Sequence, residues 1–396
     1  MTDAIQRAER VADRIATRAA QYDAAAAFPA DDLEDIRKEG LLGLMVPAAL
    51  GGMGAGFDEY VQVAMALAHA SGSTALIFNM HASVTGGLAS IPDEMALGLG
   101  VGESFFATRE RVLRDAAEGS VYGVAISEPE VGSRLSALRS TYEPEGDGFR
   151  IRGHKSAVSG AGHLNAYLVA ARRRADHPAE SNEPVLSYFL VPQGSGLSIE
   201  RTWDPLGMRA TASNPLTIDT HVPADALLGG VEGLVLPLAH GMPQWLVASY
   251  AAVYVGLAQA AVDEAIAYVR GRNVAGHRGG RGRLASVRAR VGRAEAETLA
   301  ARLTLEYAAR LVEVQPGEPE TNRWVYRAKL LAGDAAMRAA ESLAEATGLG
   351  ALQRGSPLER IFRDARSGSI MPPSSDVSAE YLGAAALGVE DEVRPW

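Results

Sequence analysis

The stretch Ala125-Ile126-Ser127-Glu128-Pro129-Glu130-Val131-Gly132-Ser133 marks the point where an extended segment stops and a loop of small and charged residues begins. Proline offers no N–H to a ladder, so a strand running into this stretch ends at Glu128-Pro129. The small residues that follow let the backbone approach another group closely. By its own chemistry this is an ordinary strand exit. Its surroundings give it meaning.

From about Val121 to Leu228 the chain consists of short β-branched or aromatic runs separated by turn residues. Phe149-Arg150-Ile151-Arg152, Ala166-Tyr167-Leu168-Val169-Ala170, Leu186-Ser187-Tyr188-Phe189-Leu190-Val191 and Leu216-Thr217-Ile218-Asp219 alternate with the period of half-buried strands. Gly146-Asp147-Gly148 between two such runs predicts a tight turn, and residues 204–209 a loop.

Helical spacing rules on both sides of this segment. Upstream, Ala, Leu and Met recur every third or fourth position over residues 31–42 and 59–70. Val46-Pro47 and Gly51-Gly52-Met53-Gly54 punctuate that half. Downstream of His240, residues 245–269 form a long run with few polar interruptions, suited to the inside of a bundle. Residues 288–312 and 322–347 predict two more long amphipathic helices. The Gly/Arg stretch at 276–282 reads as a basic loop, equally a solvated linker or an anion-binding element. The expected fold class is α+β and multi-domain: an N-terminal helical domain over 1–120, a central β-barrel-like domain over 121–232 and a C-terminal helical bundle over 233–396.

Composition narrows the function classes. With 396 residues, 47% of them hydrophobic, the chain can bury a large core divided among two or three units. A formal charge of −10 argues against a general nucleic-acid binder, which needs clustered cations. The absence of cysteine excludes disulfides, thiolate nucleophiles, Cys-ligated zinc and iron–sulfur clusters. Eight histidines occur without an HExxH-type pair, so no metal site is expected. The charged N-terminus lacks the apolar core of a signal peptide, and no stretch reaches ~20 uninterrupted apolar residues. A cytoplasmic protein without a membrane span is therefore expected.

The strand-exit cluster resembles the TEPxAGSD signature of the acyl-CoA dehydrogenase family, and further likenesses follow in chain order. Gly148-Phe149-Arg150-Ile151-Arg152-Gly153-His154-Lys155 is similar to the family's GDGYxLNGxK strand pair. Asp204 to Arg209, with Val222-Pro223 and Leu228-Gly229, resembles KxGxRxS…VPxxxLLG. Tyr268-Val269-Arg270-Gly271-Arg272 sits at YxxxRxxFG, and Glu359-Arg360-Ile361-Phe362-Arg363-Asp364-Ala365-Arg366 at ERxxRDAR. Phe28-Pro29, Glu39-Gly40-Leu41, Val46-Pro47 and Gly51-Gly52-Met53-Gly54 agree upstream. Each motif is weak alone; in sequence they cover the whole chain.

The resemblance implies FAD held between the central domain and the C-terminal bundle of a dimer or tetramer. It implies that Ile126 and Ser127 face the flavin ring, where hydrogen bonds tune its electronics. Ala157 occupies the place of a tryptophan that covers the ring, and Ser159 that of a threonine beside it. Gly132 and Ser133 would line the channel for an acyl thioester. Arg272 would reach a flavin pyrophosphate in a neighbouring subunit, and Ser374, Ser375 and Asp376 fall where the family contacts the cofactor.

The likeness breaks at the chemistry. Desaturation needs a carboxylate to take the substrate's α-proton while hydride passes to the flavin. The family's usual glutamate position is Pro372, and its alternative position, early in the first bundle helix, falls near Leu246. No acid lies between Trp245 and Gln259, and Asp263 and Glu264 sit further along at a polar, surface-facing end. The family's AGSD becomes Val131-Gly132-Ser133-Arg134, which puts a cation near the expected channel mouth.

Three readings follow. The first is an acyl-CoA or acyl-carrier-protein dehydrogenase, with an electron-accepting flavoprotein as partner. It leads because it is the commoner activity of the family. The second is a flavin-dependent monooxygenase of the same fold, the group that includes dibenzothiophene monooxygenase, using O₂ and reduced FMN or FAD from a partner reductase. Lys155-Ser156-Ala157-Val158-Ser159-Gly160 is similar to the KxxxSG stretch of that group, which needs no α-proton base. A histidine from the N-terminal helices supports the oxygenated flavin there, and His81 is at about the right place. By its own setting, His81 reads more readily as a core-facing or capping histidine. The third reading is a non-catalytic flavin-fold protein.

Overall fold

The computed structural model describes residues 2–174, 184–194, 196–271 and 280–390. The N-terminal region consists of helices α1 (Asp3–Ala25), α2 (Ala30–Lys38), α3 (Phe57–Ala70), α4 (Gly72–Ser90), α5 (Asp93–Gly98) and α6 (Glu103–Ala117). In α1, Ala4, Ala8, Val11, Ile15 and Ala19 form one buried stripe at helical spacing. The helix expected over 31–42 stops at Lys38. Gly40 follows with φ +75°, a left-handed conformation suited to glycine, and Leu41–Gly43 form a single 3₁₀ turn. Ser71 caps α4 by accepting the Thr74 N–H at 3.3 Å, and α4 is buried on almost every side.

Among the described residues the central region is one mixed sheet of seven strands: β1 (Tyr122–Ala125), β2 (Thr141–Glu145), β3 (Gly148–Val158), β4 (Ala166–Arg173), β5 (Leu186–Pro192), β6 (Leu197–Ile199) and β7 (Asn214–Pro223). All four predicted strands lie within β3, β4, β5 and β7. Gly146-Asp147 form the expected turn between β2 and β3, which pair antiparallel with Glu145 opposite Gly148. Strand β4 pairs parallel with β1 and β2 and antiparallel with β5, while β7 lies antiparallel between β3 and β6. The β3–β7 register slips between Lys155 and Val158, and Ala157 sits in that bulge at φ +52°. A bulge bends its strand and re-aims the side chains around it.

The C-terminal region contains α7 (Val235–Gly241), α8 (Ala248–Arg270), α9 (Ala285–Val314), α10 (Pro319–Thr347), α11 (Pro357–Ala365) and α12 (Ser375–Leu387). The run expected over 245–269 starts later, because Val247 leaves helical geometry after a 3₁₀ turn at Pro243–Trp245. Helices α8, α9, α10 and α12 pack into a bundle, and α3 lies across α8 and α9. Alanine and glycine allow that crossing: a Cβ on Gly256 would stand 2.5 Å from the Met65 carbonyl oxygen. The span Pro243–Arg270 is, against expectation, long and apolar enough to cross a membrane, but 83% of its apolar window is buried inside the protein. The basic stretch 276–282 lies largely outside the described residues; within it, Arg281 donates to the Ala346 carbonyl at 2.7 Å.

Candidate functional site

A cavity of about 510 Å³ opens where sheet, N-terminal helices and bundle meet. Its apolar side is formed by Leu76 and Met80 of α4, Val124 of β1, and Leu246 and Tyr250 at the start of α8. The opposite side carries hydroxyls and bent backbone: Ser127, Ser133, Ser156, Ala157, Ser159, Thr211 and Ser213. Arg363, Arg366, Ile370, Met371 and Pro372 complete the lining at the rim. The expected Ile126, Ser127, Ala157, Ser159 and Ser133 are thus brought together in one wall, although Ile126 and Ser159 are 33 positions apart.

A buried ion pair fixes this wall. The Lys155 ammonium donates to Glu128 Oε1 at 2.6 Å, to the Ala170 carbonyl at 2.7 Å and to the Ile126 carbonyl at 3.2 Å. Glu128 accepts in addition the backbone N–H groups of Arg139 (2.6 Å) and Ser140 (3.0 Å). Neither side chain reaches solvent, and every ammonium proton has an acceptor, which is the condition for burying a charge. Burial pushes the Lys155 ammonium down to about 8, against the pull of Glu128. Burial also raises the Glu128 carboxyl, but Lys155 and the N–H donors outweigh it and hold the group below its ordinary value. The Ser156 N–H donates to the Ser127 carbonyl at 2.8 Å, so strand and loop move as one. The Ser127 hydroxyl meets the cavity with no hydrogen-bond partner among the described residues.

The wall's second half is a loop held from below. Asp364 accepts the Met208 N–H at 2.6 Å and is buried; that burial pushes its carboxyl up to about 6, despite the nearby Arg360 and the Met208 N–H. Met208 (φ +54°) and Ala212 (φ +45°) are left-handed, as is Ala157. Non-glycine residues rarely hold that conformation, and such strain gathers at functional sites. Between them Ser159, Ser213 and Thr211 form a chain of hydroxyls, with oxygen separations of 2.9 and 2.7 Å. Sequence reading missed Ser213 and Thr211 as site residues, although Thr211 falls on the serine of the KxGxRxS pattern. Tyr250 was missed too; burial pushes its phenol up to about 12. Arg363, quoted only within its motif, is held by Asp23 and Glu359 at the cavity rim.

Other expected residues stand elsewhere. His81 is a core histidine, not a cavity residue. Its Nδ1 accepts the Tyr122 N–H at 3.2 Å, so its Nε2 carries the proton and donates to the Leu42 carbonyl at 2.8 Å. Both ring nitrogens are spent on backbone groups, and burial pushes the imidazole down to about 4. His81 is absent from the lining of the cavity that gathers the other expected side chains. Gly132 is exposed and closes a turn with Glu128 through two 2.9 Å backbone bonds; its neighbour Ser133 reaches the cavity. Ser374 caps α12 by accepting the Val377 N–H at 3.3 Å, Asp376 is exposed in the first turn, and neither lines the cavity. Arg134 is exposed and not itself part of the lining, and Asp263 pairs with His69 at the surface. Arg272 lies outside the described residues.

Both positions where the sequence lacks a base, Leu246 and Pro372, do line the cavity. No Asp, Glu, His or Lys is found among the described lining residues. Behind Val124 and Leu246 a smaller, almost wholly apolar chamber of about 70 Å³ continues between Leu88, Tyr188, Leu238 and Trp245. The main cavity is of cofactor size. Its apolar face suits a planar ring system, and its hydroxyl and backbone face suits the ring's polar edge.

Three family models match in order: the acyl-CoA dehydrogenase N-terminal domain at residues 5–91, the middle domain at 123–221 and the C-terminal domain at 247–387. A putative acyl-CoA dehydrogenase of Bacillus subtilis, YdbM, is 30% identical over 380 residues, covering 96% of this chain and 95% of the relative. L-evernosamine nitrososynthase from a Micromonospora species is 31% identical over 395 residues, covering 96% and 89%. Among solved structures, KijD3 in complex with FMN and a dTDP-linked 3-amino-4-keto sugar superposes with a TM-score of 0.83 at 27% identity, covering 98% of this chain and 93% of that one.

Proposed function

The chain belongs to the acyl-CoA dehydrogenase family, and from that premise we propose that it is a flavin-dependent monooxygenase, drawing reduced FMN or FAD from a partner reductase. One observation carries the choice between the family's chemistries. The cavity that would hold the ring has no carboxylate or other base among its described residues, and both family base positions are apolar. Removal of an α-proton needs such a group within hydrogen-bond reach; oxygenation does not. The likeness to a nitrososynthase and to the FMN complex of KijD3 supports this reading. It replaces desaturation, which leads on sequence alone, as the preferred activity.

In this reading Ile126, Ser127 and Ser159 hold the ring's polar edge, and Leu76, Met80 and Leu246 cover its face. Reduced flavin, when bound, supplies the electrons that activate O₂. The chain's own contribution is to seat the ring, exclude water along the apolar wall and offer substrate the space toward Ser133. The apolar chamber behind Leu246 suits an unsubstituted hydrocarbon portion of the substrate. Arg363 and Arg366 at the rim suit an acidic one. Assembly into a dimer or tetramer belongs to the same proposal.

The test is direct. The purified protein is titrated with oxidised and reduced FMN and FAD, then assayed for O₂ uptake with supplied reduced flavin. A parallel arm mixes the flavin-loaded protein with acyl-CoAs of varied length and looks for bleaching of the flavin. Binding and substrate-dependent O₂ uptake without bleaching is the expected result. Bleaching by a thioester would return the protein to the dehydrogenases, and the absence of any flavin binding would leave the non-catalytic reading.

A further inference from the structure

The hydroxyl chain behind Ser159 has a direction, and the direction bears on which redox state of a flavin the site prefers. Thr211 Oγ1 lies 2.9 Å from the Met208 carbonyl oxygen, which can only accept, so the threonine proton points there. Ser213 Oγ, 2.7 Å from Thr211 Oγ1, must then donate into it. Ser159 Oγ, 2.9 Å from Ser213 Oγ, donates in turn. All three side chains are buried, so water competes weakly for these protons. Counted this way, Ser159 turns only lone pairs toward the cavity it lines.

Reversal is available at the loss of one bond. Thr211 would turn its proton to Ser213, Ser213 to Ser159, and Ser159 would present a proton to the cavity. The Met208 oxygen would keep the Trp203 Nε1–H and the Thr211 N–H, each at 3.2 Å. The resting order is thus favoured by a single neutral hydrogen bond, a bias of roughly two- to tenfold.

We propose that Thr211 and Ser213 are positioning residues that hold Ser159 as a hydrogen-bond acceptor, so that the site binds reduced flavin in preference to oxidised flavin. Two-electron reduction places a hydrogen on flavin N5, turning an acceptor into a donor. An acceptor-only Ser159 satisfies the reduced ring at once. The oxidised ring gains the same bond only after the chain reverses. The inference rests on the flavin reading above and adds to it that Ser159 is the polar-edge group beside N5.

The experiment is anaerobic equilibrium titration of wild type, Thr211→Val and Ser213→Ala with oxidised and reduced FMN, compared as the ratio of the two Kd values. Wild type is expected to bind reduced FMN more tightly. Either substitution breaks the chain, frees Ser159 to donate, and lowers the ratio roughly two- to tenfold, chiefly through tighter binding of oxidised FMN. A tenfold change corresponds to about 30 mV in the potential of the bound two-electron couple, which a potentiometric titration reads independently. Thr211→Ser keeps the hydroxyl and should keep the wild-type ratio. Should Ser213→Ala fail to fold, the two Thr211 variants decide the matter. A ratio unchanged in Thr211→Val overturns the proposal while leaving flavin binding intact. Failure of wild type to bind either form overturns the flavin reading itself, and this inference with it.

Discussion

His81 and Tyr122 lock a helix of the N-terminal region to the first strand of the sheet: imidazole Nδ1 accepts the tyrosine N–H at 3.2 Å, and the two rings stack with an interplanar angle of 4°. The other ring nitrogen holds Leu42. This makes His81 a fastener between three segments. Replacement by alanine leaves a buried N–H and a buried carbonyl unmatched and opens a void, a loss of about 2–5 kcal/mol in unfolding free energy. Urea denaturation of His81→Ala checks it; a variant as stable as wild type would contradict the role.

The same residue predicts a pH dependence. Burial pushes its imidazole down to about 4, while in the unfolded chain it titrates near 6.5. Between those values the unfolded chain binds the proton and the folded one does not. Stability contributed here is therefore full above about pH 6.5 and falls as pH drops toward 4, by up to roughly 3 kcal/mol. Denaturation midpoints followed from pH 7 to 4.5 should fall faster in wild type than in His81→Gln. Parallel curves would exclude this group as the cause.

Asp364 runs the opposite way. Its carboxyl is raised to about 6 by burial, so between about 4 and 6 the folded protein holds a proton that the unfolded chain has lost. Its contribution to stability is full below pH 4 and declines as pH rises through 6, by at most about 3 kcal/mol. Asp364→Asn retains an oxygen for the Met208 N–H and removes the titration. The difference in unfolding free energy between this variant and wild type should grow with pH between 4 and 7, measured by urea denaturation at fixed ionic strength. A constant difference would refute it.

Lys155 and Glu128 are 27 positions apart and meet with no access to water. Removing one partner strands the other. Lys155→Met and Glu128→Gln should each lower stability by about 3–5 kcal/mol, and the double variant should recover much of the loss. Because the pair also anchors the Ile126 carbonyl, both single variants should weaken flavin binding under conditions where they remain folded. Circular dichroism with denaturant and fluorescence titration with FMN separate the two effects; additive losses in the double variant would argue against the coupling.

Ala157 pays for the bend in β3 with a left-handed backbone at φ +52°. Glycine adopts that conformation freely, so Ala157→Gly should be neutral to about 1 kcal/mol more stable. A β-branched residue fits it poorly, so Ala157→Val should lose about 1–3 kcal/mol and narrow the cavity. Thermal melts of the two variants should therefore move apart, valine downward. Equal melting temperatures would mean that the bulge is not strained.

Much of this architecture was legible in the chain, because periodicity reports burial. The alternation over residues 149–152 and the apolar run over 245–269 each record surfaces that pack. Ends were less legible: Val247 interrupts the run at 245–269 through backbone geometry that its side chain does not announce. At the site, motifs located Ser127 and Ser159, since each stands in a local pattern. They could not locate the partnership of Ser159 with Ser213, 54 positions away, which exists only because β3 and β7 lie side by side. The setting of His81 was hidden for a related reason. A histidine in an apolar helix reads the same whether its nitrogens face a ligand or two backbone groups in distant segments.

The Lys155 ammonium holds three acceptors drawn from the end of β1, from its loop and from β4. Loosening any of them would leave a charge facing an apolar interior, so the seat for the ring is complete before anything sits in it. Under the proposed function, a reduced flavin handed over by another protein and later released would lose little ordering entropy on each arrival. Rigidity at this one point would then make brief occupancy practicable.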